Sequence, residues 1–215
     1  MKCYETCDGL LMTMNYNRHF CGVKVIHIAS TMVIVLGLVA CAPSLENKMN
    51  NPNKTKLIIA ELFIDAFYSF DGDALRSYLN RAQTSKSRIV YYQGWAKGGN
   101  YRIINRKPCE MQDANTVICA VTVEDDATLA LKTNFLVTDT FTISFDHDEI
   151  MSVTTSSDDP PIYYEAYNWV KENSPELFDG PCQGFFDGGE TPGDCARAMT
   201  KGYAEFVKRN TLGES

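Results

Sequence analysis

From Lys54 onward the chain alternates between two hydrophobic periods. Ile59, Leu62, Phe63, Ala66, Phe67 and Phe70 recur at helical spacing, which predicts a helix ending near Asp71-Gly72. Asp73 then reads as the cap of a second, short helix carrying Leu75, Tyr78 and Leu79. A third helix is expected over Ser85 to Lys97, presenting Ile89, Tyr92, Trp95 and Ala96 and stopping at Gly98-Gly99. Beyond it the pattern shifts to period two. Tyr101–Asn105, Val117–Val123, Thr133–Val137, Thr140–Phe145 and Ile150–Thr155 are rich in β-branched and aromatic residues and predict strands. Asp146 to Glu149 forms the turn between the last two, and Asp158-Asp159-Pro160-Pro161 ends the sheet. Further helices are expected over Ile162–Glu172 and, with Asp194 as cap, over Asp194–Arg209.

The N-terminal part follows neither period. Its one long apolar run, Val25 to Ala40, has 16 residues, short of the ~20 that cross a bilayer as a helix. Arg18, His19 and Lys24 precede it and no basic cluster follows, the order of an export signal. The first dozen residues carry Glu5 and Asp8 without a basic bias, so the signal reads as starting at Met12 or Met14. The run ends in Leu38-Val39-Ala40-Cys41, which resembles the lipobox of bacterial lipoproteins. That resemblance implies cleavage before Cys41, lipid on its sulfur, and an amine also acylated, for example by palmitate. Two or three acyl chains hold essentially permanently. Ala42, in place of Asp, implies the outer membrane facing the periplasm in a host with two membranes. The alternative is an uncleaved signal anchor with Cys41 as an incidental thiol.

On this reading the chain divides into a signal region (1–40), the lipidated Cys41 with a polar, proline-containing spacer (41–53), a domain (54–178), and a loop with a C-terminal helix (179–215). Of eight cysteines, three leave with the signal and Cys41 takes the lipid, which leaves Cys109, Cys119, Cys182 and Cys195. An even remainder in an exported domain suggests disulfides, with three connectivities open. A hairpin about Ala114 sets Cys109 opposite Cys119, and Cys182 and Cys195 bracket a Gly/Asp-rich loop, so 109–119 and 182–195 are favoured. Either pair remaining as thiols is the alternative. A zinc site is disfavoured, because no Cys-x-x-Cys spacing occurs among the four.

Three helices followed by an antiparallel meander resemble the nuclear transport factor 2-like (SnoaL-like) superfamily. The resemblance rests on Phe67 to Leu75 with its Gly72-Asp73, on the hairpin Phe141 to Val153, and on the tail Tyr167 to Glu176. The hairpin departs from the family's Asp-Gly-Lys-Ile turn, since Asp148-Glu149-Ile150 stands there. The resemblance implies an α+β, cone-shaped fold: N-terminal helices on a curved antiparallel sheet, with an additional C-terminal helix. It also implies an apolar cavity, for which Tyr68, Tyr92, Trp95, Tyr101, Phe135 and Phe141 are the candidate lining; core packing is the competing role for each. Enzymatic relatives place a carboxylate or a Tyr/Asp pair in that cavity, which makes Asp65 and Asp139 the acids to inspect.

Charge narrows the partners. The net charge of −7 disfavours nucleic acid. His147, the only histidine after the signal, lies in an acidic turn, so a histidine-based metal site or catalytic triad is not expected. Asp187 to Glu190 with Asp194 lack the ligand spacing of a calcium loop. No cofactor is implied. The expectation is an envelope module that binds a small apolar ligand or an envelope protein without catalysis, with a homodimer open. The alternative is a small cofactor-independent isomerase, cyclase or hydratase acting on an apolar molecule.

Overall fold

The structure is a computed structural model that describes residues 51–213. The expected signal region, Cys41 and most of the expected spacer lie outside the described residues.

Helix α1 spans Pro52–Tyr68. Asn51 caps it, its side chain accepting from the Asn53 N–H, and Pro52 takes a first-turn position where no amide donor is needed. Ala60, Phe63, Ile64 and Phe67 form its buried stripe. Helix α2 spans Gly72–Tyr78. Its cap is Asp71 rather than Asp73: the Asp71 carboxylate accepts from the Asp73 and Ala74 amides at 2.9 and 3.1 Å. Helix α3 spans Gln83–Gly98.

The sheet follows: β1 (Arg102–Arg106), β2 (Glu110–Met111), β3 (Thr116–Glu124), then helix α4 (Asp126–Ala130), β4 (Val137–Asp146) and β5 (Glu149–Ser157). All pairings are antiparallel. The order is β1-β3-β4-β5, with β2 sharing β1's side of β3. Strict alternation in β3 and β4 sends Val117, Cys119, Val121 and Val123, and Val137, Asp139, Phe141, Ile143 and Phe145, to one buried face. Helix α5 (Pro161–Asn173), a single turn α6 (Glu176–Asp179) and α7 (Pro192–Gly213) complete the chain.

The α+β class holds, but the cone does not form. The sheet is open: β1 and β5 are its two edges, and no hydrogen bonds join them. Register breaks only at a bulge in β1 (Ile103/Asn105) and another between Ser144 and Phe145, so the ladder is not curled round into a cone. The buried face is instead covered by helices and filled by their side chains. Phe63, Phe67 and Phe141 are fully buried, with ring centroids 4.9 Å apart for Phe67–Phe141 and 6.2 Å for Phe63–Phe141. Burial of each such ring contributes roughly 1.5–3 kcal/mol.

Other boundaries also differ from the sequence expectation. Thr133–Leu136 is irregular rather than strand, and β4 begins at Val137, so Asp139 lies inside it. Asp194 sits in the first turn of α7 and pairs with Arg197 rather than preceding the helix. Residues from 192 onward belong to the same packed unit, because α7 lies against α3, α4 and α5. At Gly202 an added Cβ would come within 2.5 Å of Val170 Cγ2, which shows how closely α5 and α7 approach.

Candidate functional site

Both expected disulfides are present. Cys109–Cys119 joins the segment before β2 to β3, with Cα atoms 4.3 Å apart. Cys182–Cys195 closes the loop onto the first turn of α7, at 4.6 Å. Lys56, with its side chain inside, ties α1 to the β2–β3 turn through Nζ, which donates to the Ala114 carbonyl (2.6 Å) and Asn115 Oδ1 (2.8 Å).

The one carboxylate on the inner face of the sheet is Asp139, which is 0% exposed. The β4 alternation carries it there, two residues before Phe141. Val121 stands opposite it on β3 and Ser157 opposite it on β5. Ser157 Oγ donates to its Oδ1 at 2.7 Å and Tyr68 Oη, from the end of α1, donates to its Oδ2 at 3.0 Å. The Tyr92 hydroxyl lies close enough to favour the ionised form, yet it is outside hydrogen-bond geometry and is left without a partner. Burial pushes the Asp139 pKa up, and the hydroxyls of Tyr92, Ser157 and Tyr68 oppose that shift.

Two further carboxylates lie near enough to feel it. Asp125 is buried and caps α4, its Oδ1 accepting from the Thr128 amide at 2.8 Å. Burial raises its pKa against those amide bonds. Asp159, just past the end of β5, is pushed up to about 6, first by burial and then by the charges of Asp139, Asp125 and Asp158. Tyr68, Tyr92 and Tyr101 are all held well above the ordinary phenol range, burial first and the Asp139 charge among the other causes. No group of three or more His, Cys, Asp or Glu among the described residues is placed to hold a metal ion.

Chemically this is a buried carboxyl group whose pKa is raised above the ordinary carboxylate value, held by two hydroxyl donors. Access is the difficulty. Tyr92 stacks near Phe141 at 6.3 Å and packs on Phe67 at 5.2 Å, so the rings around Asp139 occupy the space a substrate would take.

The structure thus gathers Asp139, Tyr68, Tyr92, Tyr101 and Phe141, and disperses the rest. Asp65 faces solvent and pairs with Arg106, which also binds Glu61. Trp95 is buried but turns toward the disulfide loop, with Phe185 and Phe186 at 5.3 and 5.7 Å. Phe135, 38% exposed in the irregular segment before β4, belongs to no ring pair around Phe141. His147 lies in the turn between β4 and β5, beside Asp146 at 2.9 Å. Ser157, Asp125 and Asp159 were missed. The available signal for Asp139 was its even spacing from Phe141 within the β4 alternation.

Among the described residues no helix is long and apolar enough to cross a membrane. No protein family, curated protein or solved structure matches the chain.

Proposed function

We propose that the chain is an exported lipoprotein, fastened at the cell envelope through lipid on Cys41, whose disulfide-locked domain binds a small molecule or an envelope protein without performing chemistry. In a host with two membranes the domain faces the periplasm from the outer one. The observation that carries this reading is the state of the cysteines. All four that follow Cys41 are closed in disulfides, as suits an oxidising compartment, and Cys41 is left over at the end of a short apolar leader. The occlusion of Asp139 by its own aromatic neighbours supports a non-catalytic role.

Mass spectrometry of the protein extracted from membranes tests the reading. The expected species begins at Cys41, carries the mass of diacylglycerol and acyl groups, and retains two disulfides. Cys41→Ser should move the protein to the soluble fraction; an unmodified, full-length chain in the cytosol would end the proposal.

One observation favours an enzyme as a second reading: the buried Asp139 accepts a hydrogen bond from Tyr68, an arrangement suited to acid–base work on an apolar molecule once the ring packing opens. A small molecule that co-purifies with Asp139→Asn but reaches the wild type in altered form supports that reading. The same molecule in both discards it.

A further inference from the structure

A groove of about 500 Å³ runs along the outer side of α3, away from the Asp139 cluster. Its floor is a single helical stripe, Ser87, Val90, Gly94 and Lys97, spaced by three or four residues. One wall comes from Phe70 and Arg76 around the start of α2. The other is the loop closed by Cys182–Cys195, through Gly188, Glu190 and Pro192.

Two observations make this a formed site and not a crevice between loosely packed elements. First, the loop is pinned on α3 by glycines that admit no side chain. A Cβ on Gly94 would lie 2.4 Å from Pro192 Cγ, and one on Gly98 would lie 2.3 Å from Gly193 Cα. Gly188 holds φ +90°, a conformation open mainly to glycine. With the disulfide, these contacts fix the wall before any ligand arrives, which lowers the entropic cost of binding. Second, the lining is apolar in Phe70, Val90 and Pro192 but carries two cations, Arg76 and Lys97, against one carboxylate, Glu190, in a chain of net charge −7. The ion pair Arg76 makes with Asp73 is exposed and holds it weakly. Absence of a side chain at Gly72 lets the guanidinium fold back over the start of α2, since a Cβ there would stand 2.9 Å from Nη1.

The geometry points to this groove as the domain's ligand site, taking a small amphipathic anion: one carboxylate or sulfonate carried on a flat aromatic or short aliphatic frame. The frame lies on Val90, Phe70 and Pro192, and the acid is met by Arg76 and Lys97. This assignment rests on the ligand-binding reading above and moves the ligand from the sheet interior to the face of α3.

The test is calorimetric titration of the full chain in phosphatidylcholine nanodiscs with 2-naphthoate, against empty nanodiscs. Saturable one-to-one binding is expected. It should weaken at least tenfold in the double variant Arg76→Gln/Lys97→Gln, and by a similar factor for the uncharged 2-naphthamide. Arg81→Gln, an exposed change outside the groove, should leave it unchanged. Ser87→Trp, which plugs the floor, should abolish it while circular dichroism stays that of the wild type. No saturable uptake, or uptake indifferent to Arg76 and Lys97, overturns the assignment. Mass spectrometry of small molecules co-extracted with wild type and double variant separates the two failures. A molecule held equally by both removes the groove and keeps a ligand-binding domain; none in either, with no naphthoate uptake, removes both.

Discussion

Asp139 shows how one residue's position in a strand decides its chemistry. Four of the five inward side chains of β4 are apolar, and the fifth is a carboxylate that would be costly to bury without donors. Tyr68 and Ser157 supply them. Tyr68→Phe removes one without opening much space, and should cost roughly 1–3 kcal/mol in urea unfolding. An unchanged midpoint would mean that the hydroxyl is not bonded as described. Asp159 offers a pH test. Its folded pKa of about 6 exceeds the ordinary 3.8, so the folded state binds its proton more tightly than the unfolded state does. Stability from this group is therefore fully present below pH ~4 and is lost as pH rises through about 6. Asp125 and Asp139, also raised, act in the same direction. Asp159→Asn should match the wild type near pH 4 and exceed it at pH 7 by roughly 1–2 kcal/mol, with allowance for partial solvent screening. Unfolding midpoints at the two pH values decide it, and a variant less stable at pH 7 would contradict the sign.

At the scale of elements, periodicity located what it describes and missed what depends on partners. The stripes on α1 and α3 and the alternation of β3 and β4 are properties of the chain itself, so they were legible. So were the two disulfides, because a hairpin and a short loop limit which sulfurs can meet. Helix α4 was not: five residues carry too little pattern, and its anchor, the buried cap Asp125, gains value only from the tertiary packing. Openness of the sheet was equally hidden, since closure depends on whether edge strands meet and not on any residue within them. The loop 180–191 has no periodic pattern, yet it is held against α3. Removing its staple with Cys182→Ser/Cys195→Ser should cost about 3 kcal/mol, the loop-closure value for a ring of this size. Gly98→Ala should add a separate penalty of roughly 1–3 kcal/mol, because the new methyl meets Gly193 backbone that has nowhere to go. Thermal unfolding of both reads out the pair; a silent Gly98→Ala would mean that the start of α7 is not seated on α3.

For the whole molecule, charge limits the kind of membrane contact the proposed anchor would allow. Removing residues 1–40 takes away Lys2, Arg18 and Lys24 against Glu5 and Asp8, so the net charge moves from −7 to −8. The 17 basic side chains that remain face 25 acidic ones, and among them Arg81, Arg102, Arg106 and Arg197 each pair with a carboxylate while Lys56 is turned inside. A chain so charged is repelled by an anionic lipid surface, where attraction needs clustered Lys and Arg. Exposed apolar residues such as Ile103 and Ile104 on the edge strand β1 are too few to hold a protein on a bilayer alone. If the lipid proposed on Cys41 is present, its acyl chains must supply the attachment, and the ten residues between Cys41 and Pro52 can reach at most roughly 35 Å. The mature chain produced without lipid, with Cys41→Ser, should float with neither phosphatidylcholine nor phosphatidylserine vesicles at any salt concentration. Binding to phosphatidylserine vesicles that disappears in high salt would reveal a basic surface not accounted for by these residues. Salt-resistant binding to both would instead assign the contact to the Ile103–Ile104 edge.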